Sequence, residues 1–388
     1  MSFARQLQPV LAHRAAQWPV VTVTGPRQSG KTTLCRSSFP ALPYLNLERP
    51  DTREFASTDP QGFLRGLPQG AVLDEIQRVP QLLSWIQVLV DEDRRAGRFI
   101  LTGSHSFELM GAVAQSLAGR TALLQLLPMS MAELRAAGLA AGTDRLLHAG
   151  GYPRIHADAL DPAVTLADYF ATYVERDLRQ LVELRNLDEF RRFVRLAAGR
   201  VGQVLNLHAL AADAGVSDPT ARAWMTLLQA SFIVRLLPPW FAHLGKRLVK
   251  SPKLYFCDTG LAAWLIGIQE QQQLATHPLR GHLFENLVVM EFVKHALNRG
   301  EPVALHYFRD HAGLEVDLVV EQGVPPGQVG LVEIKSGQTV HGDFFKPIHR
   351  VAALLGPANV ARRMLVYGGD ELVTREAIEV VGLQAASR

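Results

Sequence analysis

Gly25-Pro26-Arg27-Gln28-Ser29-Gly30-Lys31-Thr32 carries the most specific chemistry in this 388-residue chain. It satisfies the pattern G-x-x-x-x-G-K-[ST]. Its glycines let successive backbone N–H groups turn toward an anion, Lys31 offers an ammonium to the outer phosphates of a nucleoside triphosphate, and the Thr32 hydroxyl suits a magnesium ion. Thr33 then opens a helix whose positive end faces the same anion. A second acidic element is needed, and Ala71-Val72-Leu73 running into Asp74-Glu75 supplies it. Acids at the carboxyl end of a parallel strand stand where open α/β sheets bind ligands. Asp74 is expected to hold Mg²⁺ through water, and Glu75 to polarise the attacking water.

Ser104 follows the apolar run Phe99–Thr102 and is the candidate for positioning that water, with Thr102 second; an ordinary helix cap is the competing role. Arg120 is a candidate for stabilising the transferred phosphoryl group, or else pairs with a surface acid. ATP and Mg²⁺ are therefore the expected cofactors.

Another constellation lies in the last third. Asp317 is followed, after fifteen intervening residues, by Glu333-Ile334-Lys335. Alternate residues of a strand share a face, so Glu333 and Lys335 point together while Val332 and Ile334 enter a core. A turn through Pro325-Pro326-Gly327 can return the chain so that Asp317 lies beside Glu333. Glu285, near the start of an apolar helix over 281–297, adds a third carboxylate. Glu285, Asp317 and Glu333 are expected to hold Mg²⁺, with Lys335 orienting or activating a water.

The elements that must position these groups follow from the same reading. Trp18–Val23, Ala71–Leu73 and Phe99–Thr102 read as buried strands. Asp168–Gly199 reads as helical with a turn near Asn186. Leu207–Ala214, the corner Gly215-Val216-Ser217 and Thr220–Leu228 read as helix-turn-helix, with Ser217 or Asp218 as cap. Phe232–Leu237 and Leu248–Phe256 are expected to pair as a wing whose Lys246, Arg247, Lys250 and Lys253 meet phosphates, with Arg222 on the second helix. That helix carries Ala221, Ala223, Trp224, Met225 and Leu227, which is poor material for reading bases. From Arg176 to Lys253 the chain holds thirteen Lys/Arg against six Asp/Glu, although its overall net charge is only +3. The basic middle points to nucleic acid, DNA first, met mainly at its phosphates; solvated ion pairs are the plainer account. Two cysteines, Cys35 and Cys257, without metal-ligand spacing, fit a reduced cytoplasmic setting. The first twenty residues lack the apolar stretch of a signal peptide, and no run of about 18 apolar residues offers a membrane span.

The chain resembles a family of bacterial and archaeal AAA-type P-loop ATPases whose core precedes a domain of uncharacterised function. The resemblance rests on residues 25–32, Leu-Asp-Glu-Ile-Gln (73–77), Leu-Thr-Gly-Ser (101–104), Leu-Ala-Gly-Arg (117–120), Leu-Leu-Pro-Met-Ser (126–130), Gly-Gly-Tyr-Pro (150–153) and Glu-Arg-Asp (175–177). It implies an ATPase able to form a homo-oligomer. The order helix Glu285, strand Asp317, strand Glu333-x-Lys335 looks like the restriction-endonuclease-like fold, with Val316 where a proline often stands. The expected architecture is α/β throughout. It comprises an ATPase core (1–135), a helical extension (136–200), a winged helix-turn-helix (201–258) and a nuclease-like domain (259–388). Two functions are open at this point. One is an ATP-driven protein acting on nucleic acid with Mg²⁺-dependent cleavage. The other is a non-cleaving ATP-operated switch or scaffold recruiting a protein partner through its C-terminal third. A small-molecule kinase would need a compact lid directly after the core, and none is written there.

Overall fold

Five strands form the amino-terminal sheet: β1 (Val20–Thr24), β2 (Tyr44–Asn46), β3 (Ala71–Asp74), β4 (Phe99–Gly103) and β5 (Thr121–Gln125), in the order β2-β3-β4-β1-β5 and all parallel. The description is a computed structural model covering residues 3–104, 116–175, 187–240, 249–322 and 327–386. All five residues of β1 are buried, as β-branched residues in a central parallel strand should be. Because the strands run together, the segments leaving β1, β3 and β4 emerge at one edge. This is the parallel sheet of a P-loop nucleotide-binding fold.

A largely helical middle follows. Leu207–Ala214 ends at Gly215, whose φ of 77° suits glycine, and Ser217 caps the helix Asp218–Ala230 by accepting from Thr220 N. Ala221, Trp224, Met225 and Leu227 of that helix are core, while Arg222 is exposed. β6 (Val234–Leu237) and β7 (Lys253–Phe256) pair antiparallel. Lys246 and Arg247 lie outside the described residues, as do Arg176, Asp177 and Pro325-Pro326.

A six-stranded mixed sheet closes the chain: β8 (Leu305–Arg309), β9 (Glu315–Gln322), β10 (Gln328–Lys335), β11 (Val360–Tyr367), β12 (Leu372–Arg375) and β13 (Ile378–Gly382), ordered β12-β13-β11-β10-β9-β8. β8, β9 and β10 are antiparallel neighbours, and β10, β11 and β13 run parallel. The helix Arg280–Asn298 covers one face and Lys346–Leu355 the other. One continuous apolar cluster runs from Leu127 to Leu383, so the expected boundaries near 200 and 258 pass through shared core.

Polar contacts at both ends of the Arg280–Asn298 helix tie it to earlier parts of the chain. Near its carboxyl end, Lys294 Nζ donates to Met129 O at 3.0 Å, Glu291 Oε2 accepts from Met131 N at 2.8 Å, and Asn298 Nδ2 donates to Gln6 Oε1 at 3.2 Å. At its start, Arg280 pairs with Asp144 at 2.8 Å. Arg5 anchors the amino-terminal side. Its Nε pairs with Glu133 at 3.0 Å, both side chains at most 5% exposed, while Nη1 donates to Ser29 O at 2.5 Å and Nη2 to Leu127 O at 2.7 Å. Removing one partner of such a buried pair strands the other charge. An Arg5→Met substitution is therefore expected to cost about 3–5 kcal/mol. Urea denaturation would measure it, and a loss below about 1 kcal/mol would contradict the assignment.

Candidate functional sites at the two sheets

Gly25 leaves β1 at a φ of 149°, and a Cβ there would stand 2.0 Å from Leu126 O. Gly30, at a φ of 94°, caps the helix Lys31–Ser38 in the left-handed region that favours glycine. Between them Gln28 also takes a positive φ of 60°, so the loop curls back over the sheet edge. Ser29 is buried, and its carbonyl is the one gripped by Arg5. Lys31 Nζ donates to Gly25 O at 2.9 Å and Pro26 O at 2.8 Å. Burial lowers the pKa of this ammonium, against the pull of Glu75 and Asp74.

Asp74 accepts from three hydroxyls brought by three elements: Thr32 Oγ1 and Tyr44 OH reach Oδ2 at 2.9 and 2.6 Å, and Thr102 Oγ1 reaches Oδ1. Glu75 leaves β3 in the left-handed region at a φ of 58°, which turns its carboxylate toward β4. There Ser104 Oγ donates to Glu75 Oε2 at 2.9 Å, and Gln77 Nε2 donates to the same oxygen. The structure thus brings together Lys31, Thr32, Asp74, Glu75, Thr102 and Ser104. Tyr44 and Gln77 join them without having been singled out. Gln77 lay inside a quoted motif, and the short Tyr44–Asn46 strand carried no signal. Arg27 turns outward to Glu48 at 3.3 Å, and Thr33 is exposed beside a cavity of about 500 Å³ shared with Thr32, Arg36 and Tyr44. Thr32 and Asp74 offer only oxygen donors, which fits a magnesium ion that keeps most of its waters and takes the rest from phosphates.

Arg120 does not join this group. It precedes β5 at the opposite end of the strands, roughly 15 Å along the sheet. There it forms a two-pronged pair with Asp91, at 2.7 and 2.8 Å. The pairing role, not the phosphoryl role, is the one seen within this chain.

At the second sheet, Val332 lies opposite Leu318 in the β9–β10 register, so Asp317 and Glu333 become neighbours as expected. Ile334 N donates to Asp317 Oδ2 at 2.8 Å, and Lys335 Nζ lies 2.5 Å from Glu333 Oε1 and 3.7 Å from Asp317 Oδ2. With Glu285 they line a cavity of about 660 Å³ whose rim includes Arg309, Lys346 and Arg350.

Lys253 corrects the sequence reading. Its expected role was an exposed wing contact to phosphate, yet it is buried at 2% exposure in this cavity. Its Nζ meets Glu285 at 2.9 Å, Glu315 at 2.5 Å and Asp317 at 3.6 Å, while Tyr255 OH donates to Glu285 at 2.6 Å. β7 alternates sides, so residues 253 and 255 arrive on one face, and both reach Glu285. An ammonium thus stands among the carboxylates of the expected metal set. Among the described residues no three acids, histidines or cysteines are grouped to hold an ion.

Burial, with Asp317 adding to it, pushes Glu285 up to about 7 and Glu333 up to about 8, from an ordinary value of 4.5. Burial lowers the Lys253 pKa, but Tyr255, Glu285, Asp317 and Glu315 together raise it well above its usual range.

Comparison with known proteins places these sites in context. An AAA domain matches residues 17–135, and two domains of unknown function match 141–272 (DUF8612) and 280–386 (DUF4143). The uncharacterized proteins Rv2008c of Mycobacterium tuberculosis and Mb2031c of Mycobacterium bovis are each 36% identical over 365 residues, 92% of this chain and 78% of theirs. Among solved structures, the Walker-type ATPase PABY2304 of Pyrococcus abyssi is 14% identical, covering 67% of this chain and 94% of its own, at a TM-score of 0.46. No helix among the described residues is long and apolar enough to cross a membrane.

The raised carboxyls give the fold a definite pH response. Folded, Glu285 and Glu333 keep protons that the unfolded chain releases from about pH 4.5, up to about pH 8. Stability must fall as pH rises through that window. Glu333→Gln is expected to flatten the decline in melting temperature, and equal slopes for the two chains would contradict this.

Proposed function

This chain belongs to the family of the mycobacterial protein Rv2008c, and we propose that it is a magnesium-dependent ATP-hydrolysing switch that acts on nucleic acid without cutting it. The observation that carries the ATPase reading is the convergence of Lys31, Thr32, Asp74 and Glu75 at one edge of a parallel sheet. Lys31 would exchange its two carbonyl partners for phosphate oxygens. Thr32 and Asp74 would hold magnesium, which neutralises the phosphate charge when bound. Glu75 would take the proton of the attacking water, with Ser104 and Gln77 fixing its carboxylate. Arg5 keeps the Ser29 peptide oriented behind the phosphate cradle.

The AAA core would drive a winged-helix middle and a nuclease-like C-terminal domain, the boundaries near 135, 200 and 258 marking functional segments. Several basic residues of the middle are already committed: Arg200 pairs with Asp213, Arg191 with Asp188, and Lys253 is buried. Arg222 and Lys250 are exposed and are the cations offered to phosphates. Sparse polar groups on the second helix favour phosphate contacts over base reading. Of the two C-terminal roles, cleavage and recruitment, the lysine among the carboxylates supports recruitment of a ligand or partner. Arg120, facing away from its own cradle, is the residue a neighbouring copy would meet in a homo-oligomer. A cytoplasmic setting suits this role.

One assay tests the proposal: phosphate release from ATP with and without duplex DNA at low and high salt. Release is expected to need Mg²⁺, to rise several-fold with DNA at low salt, and to fall at least a hundredfold in Lys31→Ala and Glu75→Gln. Unchanged turnover in Lys31→Ala would reject the ATPase assignment, and indifference to DNA at both salts would reject the partner.

A further inference from the structure

The C-terminal cavity already contains a cation, and it comes from another part of the chain. Lys253 is carried by β7 of the helical middle, yet its ammonium lies among carboxylates delivered by β9 and by the helix Arg280–Asn298. An ammonium has three donors, and three carboxylates surround this one: Glu285, Glu315 and Asp317. The second lysine, Lys335, takes Glu333 and the remaining side of Asp317. Each of the three acids of this cavity expected to bind metal is thus engaged by an ammonium of the same chain.

A divalent ion would need these oxygens within about 2.0–2.1 Å in a near-octahedral shell, and it would meet the Lys253 charge at contact distance. One ligand atom stays in reserve, because Glu333 Oε2 is buried in the cavity wall and has no hydrogen-bond partner among the described residues.

We infer that Lys253 is the resident cation of this cavity. It closes the carboxylate cluster to divalent metal, and its removal opens a site formed by Glu285, Asp317 and Glu333. The lysine lies in a strand separate from all three acids, so the closure is set by how the helical middle docks on the C-terminal sheet. This inference stands apart from the ATPase reading, since it concerns a site on the other sheet.

Manganese titration of the full chain tests it, read as free Mn²⁺ by electron paramagnetic resonance. The work is done without nucleotide, with Asp74→Asn in every chain to silence the amino-terminal site. The Lys253-bearing chain is expected to leave Mn²⁺ free, whereas Lys253→Met should take up one ion per chain at least tenfold more tightly. Adding Asp317→Asn to Lys253→Met should abolish that gain. If Lys253→Met fails to fold, Lys253→Gln, which keeps a donor for Glu285, carries the same expectation. Tight Mn²⁺ binding with Lys253 in place, lost on Asp317→Asn, would overturn the inference. So would a folded Lys253 variant with no gain.

Discussion

The guanidinium of Arg5 joins the parts of this molecule that matter most. A buried cation is tolerated only when its donors are satisfied. Arg5 meets that condition with one acid and two backbone carbonyls drawn from three separate places. One carbonyl belongs to the phosphate-type loop, and the acid, Glu133, also accepts from Gln6 N and closes the capping box of the helix Met131–Ala136. The backbone just before that helix is held by Lys294 and Glu291. Those two residues sit on the helix Arg280–Asn298, roughly 28 Å long, whose other end carries Glu285 into the second cavity. A contiguous set of polar contacts and one rigid helix therefore connect the two sites.

The two sites handle buried charge differently. At the first sheet Asp74 is surrounded by neutral hydroxyls, and Lys31 is satisfied by backbone carbonyls that a phosphate can replace. Those partners are ones that an incoming anion could replace. At the second sheet each lysine is met by acidic side chains of the same chain. Breaking such a pair is costly. The first site offers backbone partners that a ligand could replace, whereas the second satisfies its polar groups within the chain.

The amino-terminal site was the more legible in the sequence, because its spacing is local. Residues 25–32 and the Leu73-Asp74-Glu75 strand end fix their own geometry, and the parallel sheet brings the two together. The β9–β10 pairing was equally readable, since strand alternation places Glu333 and Lys335 on one face and a short connection places Asp317 beside them. Contacts between distant segments were not legible. Nothing near Lys253 announces that it enters the acids of another element; its basic neighbours suggested a solvated wing instead. Arg5 looked like a scattered terminal charge, and only tertiary packing shows its three partners. Arg120 sat in a familiar-looking motif, but the direction of β5 carries it away from the loop. Gly150 and Gly151, part of the Gly-Gly-Tyr-Pro stretch, serve packing: a side chain at either would strike Asp258 or the Met129 carbonyl.

The central claim is that the curled loop at the end of β1 grips a magnesium-bound triphosphate. Isothermal calorimetry of ATP into the full chain, with magnesium and then with chelator, addresses it directly. The account predicts one nucleotide per chain, bound in the micromolar range with magnesium and markedly more weakly after chelation. A flat titration in both conditions would contradict it.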